Sequence, residues 1–275
     1  MDFIEAVLLG IVEGITEFLP VSSTGHLTIT EKLLGLDIND RTVTAFTAVI
    51  QIGAIAAVLV FFRIDIWRIA KAWMRGITNP EVRGEFDYRM GWYVIIGSIP
   101  VVVAALLGES LVTGAFRNLW WVASALIGWS VVMVIAERLG TQQRRESDLT
   151  LRDSLFIGVV QCISLIPGVS RSGATISAGL LAGLDRVAAT RMAFFLSIPA
   201  LTGAGLYELP SALSGDVALS STIVATIVSF IVAYAAVAWL LKFVAHHSIT
   251  WFVGYRVALG ALLMVLLATG TLGAT

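Results

Sequence analysis

Apolar residues run along this chain in long blocks with few polar interruptions, and six blocks are long enough to cross a bilayer. A spanning helix needs about 20 mainly apolar residues. Segments 45–62, 91–108, 119–136, 192–208, 222–241 and 251–269 have that character and predict six transmembrane helices. Pro100 and Pro199 fall inside two of them, which membrane helices accept where neighbours take up the freed backbone groups. Arg256 lies near one end of the last block, where a long basic side chain is expected to snorkel to the interface. Trp67, Trp73, Trp92, Trp120, Trp121 and Trp251 sit near block ends, as an aromatic belt does.

Two other apolar stretches do not read as simple spans. Residues 3–36 are interrupted by Pro20-Val21-Ser22-Ser23-Thr24-Gly25, and residues 154–184 by Pro167-Gly168-Val169-Ser170-Arg171-Ser172-Gly173. The flanking halves are too short to cross, and short halves about such a break predict a re-entrant helix hairpin. Irregular backbone at membrane depth survives only where it is buried in protein or lines a wet cavity. The breaks therefore predict a cavity.

The two stretches are copies of one another. At a constant offset of 148, Gly10 matches Gly158, Val21-Ser22 matches Val169-Ser170, Gly25 matches Gly173, and Gly35-Leu36-Asp37 matches Gly183-Leu184-Asp185. Positions 10–50 hold fourteen identities without a gap, too many for coincidence and the mark of an internal repeat. Three spans separate the copies, and an odd number turns the second upside down. The expected architecture is an all-α membrane protein with six transmembrane helices, two re-entrant hairpins and an inverted-topology repeat. It forms one integral membrane domain over 1–275, with halves of about 1–137 and 149–275.

Charge orients this arrangement. Basic residues gather in 63–89 and 138–152, whereas the loops at 109–118 and 208–221 hold one between them, Arg117. Basic loops stay cytoplasmic, so the first hairpin enters from outside, the second from the cytoplasm, and both termini lie outside. The opening residues Met1–Glu5 lack a basic segment, so no cleavable leader is expected. The chain is 57% hydrophobic and only 13% charged, with net charge −1, which excludes a global field for nucleic acid. The single cysteine, Cys162, excludes an internal disulfide and reads as a small apolar filler.

The breaks carry the candidate chemistry. Glu13 and Glu17 are spaced i,i+4 and share a helix face. Ionisable residues at membrane depth are costly and read as functional. Ser22-Ser23-Thr24-Gly25-His26 places hydroxyls at a half-helix start, where free N–H groups and the dipole suit an anion; His26 is a candidate proton carrier. The second copy has Ser170, Arg171, Ser172, Gly173 and Thr175 at its half-helix start, and arginine grips phosphate bidentately. Gln51 lies in a span, either on the cavity or bonding a neighbouring helix, and His246-His247 read as a solvated loop. The residues together suggest a phosphate-type anion handled beside a lipid, and leave catalysis and transport both open.

Glu13-Gly14-Ile15-Thr16-Glu17-Phe18-Leu19-Pro20-Val21-Ser22-Ser23-Thr24-Gly25-His26 resembles the acidic motif of the bacterial undecaprenyl-pyrophosphate phosphatase family, also called bacitracin-resistance proteins. Pro167-Gly168-Val169-Ser170-Arg171-Ser172-Gly173-Ala174-Thr175 resembles its second motif, and the similarity runs along essentially the whole chain. The resemblance implies hydrolysis of undecaprenyl pyrophosphate to the monophosphate carrier of cell-wall synthesis. It implies a bacterial inner-membrane protein with a site open to the periplasmic or outer side. It further implies a divalent cation, Mg²⁺ or Ca²⁺, with Glu13 and Glu17 as its ligands. Catalytic roles fall to Glu17, His26, Ser23 and Arg171, with Ser23 or a water attacking. Substrate-binding roles fall to Ser22, Thr24, Gly25, Gln51, Ser170, Ser172, Gly173 and Thr175. The partners are then the lipid substrate and the bilayer, no nucleic acid, and a second copy as a homodimer. The competing expectation is a polyprenyl-phosphate flippase or anion transporter using the same cavity.

Overall fold

A computed structural model describes residues 2–38, 40–108, 118–213 and 217–274, the side chains of Arg41 and of 208–213 excepted. The described residues are helical. In chain order the helices are α1 (Phe3–Thr16), α2 (Ser23–Leu33), α3 (Arg41–Phe61), α4 (Arg63–Thr78), α5 (Phe86–Leu107) and α6 (Leu119–Leu139). They continue with α7 (Leu151–Gln161), α8 (Arg171–Leu181), α9 (Arg186–Leu213), α10 (Leu219–Val244) and α11 (Trp251–Ala268). Six of these, α3, α5, α6, α9, α10 and α11, are long and apolar enough to cross a membrane. They coincide with the six predicted blocks, displaced by a few residues at most ends. Pro100 and Pro199 lie within unbroken α5 and α9.

The segment 63–89, read from its charges as a loop, is instead mostly ordered helix. It holds α4, a 3-10 turn over Pro80–Gly84 and the first residues of α5. Its basic residues interrupt the apolar run but do not break helix periodicity. Ala72 and Gly76 face inward, Gly76 lying under the Tyr88 ring, while Ile64, Trp67, Met74 and Ile77 are exposed between the basic side chains. Residues 109–117, with Arg117, and 214–216 lie outside the described residues.

The offset of 148 reappears in the backbone. α2 and α8 have equivalent bounds, Ser23–Leu33 and Arg171–Leu181. Each is preceded by a serine at positive φ, Ser22 at 79° and Ser170 at 77°. Each ends on a glycine at positive φ, Gly35 and Gly183, with the paired closing bonds of a left-handed helix cap: Leu36 N–H to Glu31 O and Leu184 N–H to Gly179 O. The short helices α1 and α7 pack by glycine. A Cβ at Gly10 would fall 2.6 Å from the Ala225 carbonyl of α10, and one at Gly158 would fall 2.1 Å from the Gly97 carbonyl of α5. α1 is thus laid on α10 and α7 on α5.

Ion pairs gather at one end of the molecule. Arg68 pairs with Asp87, Arg191 with Asp65 and Glu146, Arg186 with Glu137, and Arg144 with Asp153. Ile249 N–H also reaches Glu137, so the loops after α3, α6, α8 and α10 meet there. The other end brings Leu119 N–H to the Ala274 carbonyl. α7 starts at the ion-pair end, where Ser154 bonds the Tyr93 carbonyl. α1 starts at the other, where Ala6 and Leu9 cluster with Leu36 and Val217.

Candidate functional site

The two breaks meet. Ser22 caps its own helix by accepting from Gly25 N–H at 3.3 Å, and the same hydroxyl oxygen accepts from Gly168 N–H of the other break at 3.1 Å. Ser170 caps Gly173 N–H at 3.1 Å, and Ser172 Oγ donates to the Leu19 carbonyl at 2.8 Å. Positive φ on a non-glycine residue costs of order 1–3 kcal/mol. At Ser22 and Ser170 these caps and cross-break bonds hold it.

Glu17 follows directly on α1 as its C-cap. Its carboxylate pairs with Arg171 through one oxygen and accepts from the Ser23 hydroxyl through the other. It is thus joined both to the guanidinium of the second break and to the hydroxyl that opens α2. Glu13, one turn back, is fully buried, and among the described residues neither of its oxygens has a partner at hydrogen-bonding geometry. Glu17, Arg171 and Gln51 are its electrostatic neighbours.

A cavity of about 430 Å³ opens over this cluster. Glu17, Ser22, Ser23, Thr24, Gln51, Ser164, Ser170 and Arg171 form its polar floor. Val101, Val102, Ala105 and Leu106 of α5 and Ala200, Leu201, Ala204 and Tyr207 of α9 form apolar walls. Those wall residues lie in the halves of α5 and α9 remote from the ion-pair end, so the cavity sits toward the opposite face. The first turn of each half-helix has N–H groups without intrahelical partners. The serine caps take those of Gly25 and Gly173, which leaves Ser23 and Thr24 on α2, and Arg171 and Ser172 on α8, to serve an anion.

Not every predicted site residue lies on the cavity. Glu17, Ser22, Ser23, Thr24, Gln51, Ser170 and Arg171 line it. Gly25, Ser172, Gly173 and Thr175 are buried behind it; Thr175 Oγ1 donates back to the Arg171 carbonyl at 2.8 Å. His26, given a catalytic role beside Ser23 by the resemblance, is held elsewhere. Its Nδ1 lies 2.7 Å from the Ser22 carbonyl and its Nε2 2.6 Å from the Tyr255 hydroxyl, whose ring it stacks on. A carbonyl only accepts, so Nδ1 carries the proton and Nε2 accepts from tyrosine. His26 stands two residues beyond Thr24, the last α2 residue on the cavity.

Arg256 corrects the sequence reading outright. It does not snorkel; it is fully buried. Its guanidinium donates to Ser130 Oγ and to the carbonyls of Pro20, Gly168 and Val169. Sequence offered one signal for this: Arg256 stands five residues inside an apolar block, more than a helical turn from its start.

Among the described residues no group of three or more His, Cys, Asp or Glu side chains is assembled to hold a metal. The orphaned Glu13 carboxylate beside Glu17 nonetheless supplies hard oxygen donors of the kind Mg²⁺ and Ca²⁺ take, with phosphate and water completing the shell. The residues fit such an ion.

A family model described as "Bacitracin resistance protein BacA" matches residues 6–262. Undecaprenyl-diphosphatase 3 of Frankia casuarinae is 56% identical over 278 residues, covering 100% of both chains. Undecaprenyl-diphosphatase 1 of Streptomyces avermitilis is 54% identical, over 98% of this chain and 97% of the relative. The undecaprenyl-diphosphatase of Corynebacterium glutamicum strain ATCC 13032 is 50% identical, over 99% and 93%.

Proposed function

Since the chain belongs to the bacitracin resistance protein family, we propose that it hydrolyses undecaprenyl pyrophosphate to undecaprenyl phosphate and inorganic phosphate. The observation that carries this reading is the Ser23–Glu17–Arg171 cluster at the floor of an apolar-walled cavity. It unites a hydroxyl on a carboxylate, an anion-binding cation and a surface for a lipid tail. A carrier of lipid phosphate needs the last two but gives the first no task.

The tail lies between α5 and α9, against Val101, Val102, Ala105, Leu106, Leu201 and Ala204, and continues into the bilayer. The pyrophosphate meets Arg171 and the free N–H groups of both half-helices, which hold its charge in place as the bond breaks. Ser23 Oγ attacks the terminal phosphorus as Glu17 takes its proton. The anhydride P–O bond breaks and undecaprenyl phosphate leaves with the proton from Glu17; Glu17 then takes a proton from a water that attacks the phosphoserine phosphorus, and returns it to Ser23 Oγ as phosphate is released. Glu13 and Glu17 would hold Mg²⁺ or Ca²⁺, which when bound neutralises phosphate charge. His26, held by Ser22 and Tyr255, orients the start of α2.

The finer architecture belongs to the same reading. The two broken stretches are re-entrant hairpins of an inverted repeat, with halves of about 1–137 and 149–275. The opposite starts of α1 and α7 and the recurring 148-residue offset support this. The ion-pair end is cytoplasmic, and the cavity and both termini face the outer side of the inner membrane. A second copy completes a homodimer.

Purified protein in detergent should release phosphate from undecaprenyl pyrophosphate, and EDTA should abolish the release. Ser23→Ala should lower kcat by about 100-fold or more. No release from the wild type sinks the phosphatase reading. Near-normal turnover by Ser23→Ala sinks serine attack and leaves the attack to water.

A further inference from the structure

The breaks bury irregular backbone, and each carbonyl left unpaired at membrane depth costs several kcal/mol. One side chain answers three of these carbonyls at once. Arg256 Nη1 donates to Pro20 O at 3.1 Å in the first break. Nη2 donates to Gly168 O at 2.9 Å and Val169 O at 3.1 Å in the second. Nε donates to Ser130 Oγ of α6 at 3.1 Å. Among the described residues Arg256 makes no ion pair, so its charge is held by dipoles alone.

The position of these carbonyls gives the contact its meaning. Pro20 lies three residues before Ser23, and Gly168 and Val169 lie three and two before Arg171. A rigid planar fork between them sets where the two half-helices begin relative to each other. We propose that Arg256 is a positioning residue that locks the two breaks together and so sets the Ser23–Glu17–Arg171 spacing from the far side of the site. It is not among the residues that line the cavity. The proposal rests on the phosphatase reading for its catalytic consequence but not for its structural one.

Lysine keeps the charge but offers a single compact donor, which cannot span both breaks. Arg256→Lys should therefore remain folded while kcat falls about 100-fold with KM within about threefold, as misplacement of reacting groups predicts. Hydrogen exchange in the same variant should rise together in the peptides covering 18–26 and 166–174. Ser130→Ala, which leaves the three carbonyl contacts, should keep kcat within about threefold and both breaks protected. Retained kcat in Arg256→Lys, exchange rising in one break or neither, or a tenfold loss in Ser130→Ala each overturns the clamp. Where Arg256→Lys does not fold, the Ser130→Ala result decides. A wild type that releases no phosphate refutes the activity, while the exchange data still judge the clamp.

Discussion

Glu17 serves two partners with one carboxylate, and this shapes what its removal should do. One oxygen neutralises Arg171 and the other holds the Ser23 hydroxyl. The pair is little exposed, 14% for the arginine side chain and 3% for the glutamate. Breaking such a pair from one side leaves an uncompensated charge and costs about 3–5 kcal/mol, whereas removing both partners is often close to neutral. Glu17→Gln and Arg171→Met should each lower the thermal midpoint in detergent markedly, and the double variant should recover most of the loss. All three should be inactive. Stabilities that simply add would show that the two side chains do not interact in the folded protein. At this scale the sequence was a good guide to motif residues, since long polar strings inside apolar blocks have few structural uses. It could not say which hydroxyls reach the cavity: Ser172 and Thr175 look as available as Ser22 and Ser170, yet they are spent on the carbonyls of Leu19 and Arg171. Arg256 was misjudged because snorkelling depends on depth, and depth depends on the packing of α11 against α6.

Helix identity was legible because apolar length is a strong signal in a membrane protein, and the repeat offset located both half-helices. α4 was not, since a charge count sees Arg63, Arg68, Lys71 and Arg75 but not the apolar residues spaced between them. Pairing of elements was also beyond reach of the sequence, because glycine contacts across halves follow only from the fold. Those contacts make a contrast that can be measured. Gly158 abuts the Gly97 backbone, so Gly158→Ala must push α7 away from α5. Overpacking of this kind costs about 1–3 kcal/mol. Gly128 on α6 is exposed with open space around its Cα, and alanine there gains helix propensity of up to about 1 kcal/mol. Thermal unfolding should therefore move down for Gly158→Ala and stay level or rise for Gly128→Ala. Equal destabilisation by both would mean that α7 does not sit on α5 as described.

At the scale of the whole molecule, the ends differ. One is closed by ion pairs that link the segments after α3, α6 and α8, with the Ile249 N–H bond to Glu137 adding the loop after α10. Burial of Asp153 opposes its ionisation, but the hydrogen bonds from Arg144 and Thr150 prevail and hold its carboxyl below the usual range. The Arg144 guanidinium also reaches the Ala182 and Asp148 carbonyls, which ties the start of α7 and the end of α8 to the loop after α6. Glu5, the counterpart of Asp153 in the first broken stretch, instead caps Asp2 at the start of α1. The opposite end holds the cavity, bordered by side chains that suit lipid. If basic loops stay inside, the braced end is cytoplasmic and the substrate arrives from the other leaflet. Single cysteines placed in a Cys162→Ser background test this in intact cells. Position 246, in the exposed turn between α10 and α11, and position 271, exposed beyond α11, lie at opposite ends. A membrane-impermeant thiol reagent added from outside should label His246→Cys only after lysis and Thr271→Cys before it. Thr24→Cys, on the cavity floor, should also react from outside, and undecaprenyl pyrophosphate should slow it. The reverse labelling would place the cavity on the cytoplasmic side and refute the proposed orientation. Labelling of 246 and 271 from the same side would mean that α11 does not cross the membrane.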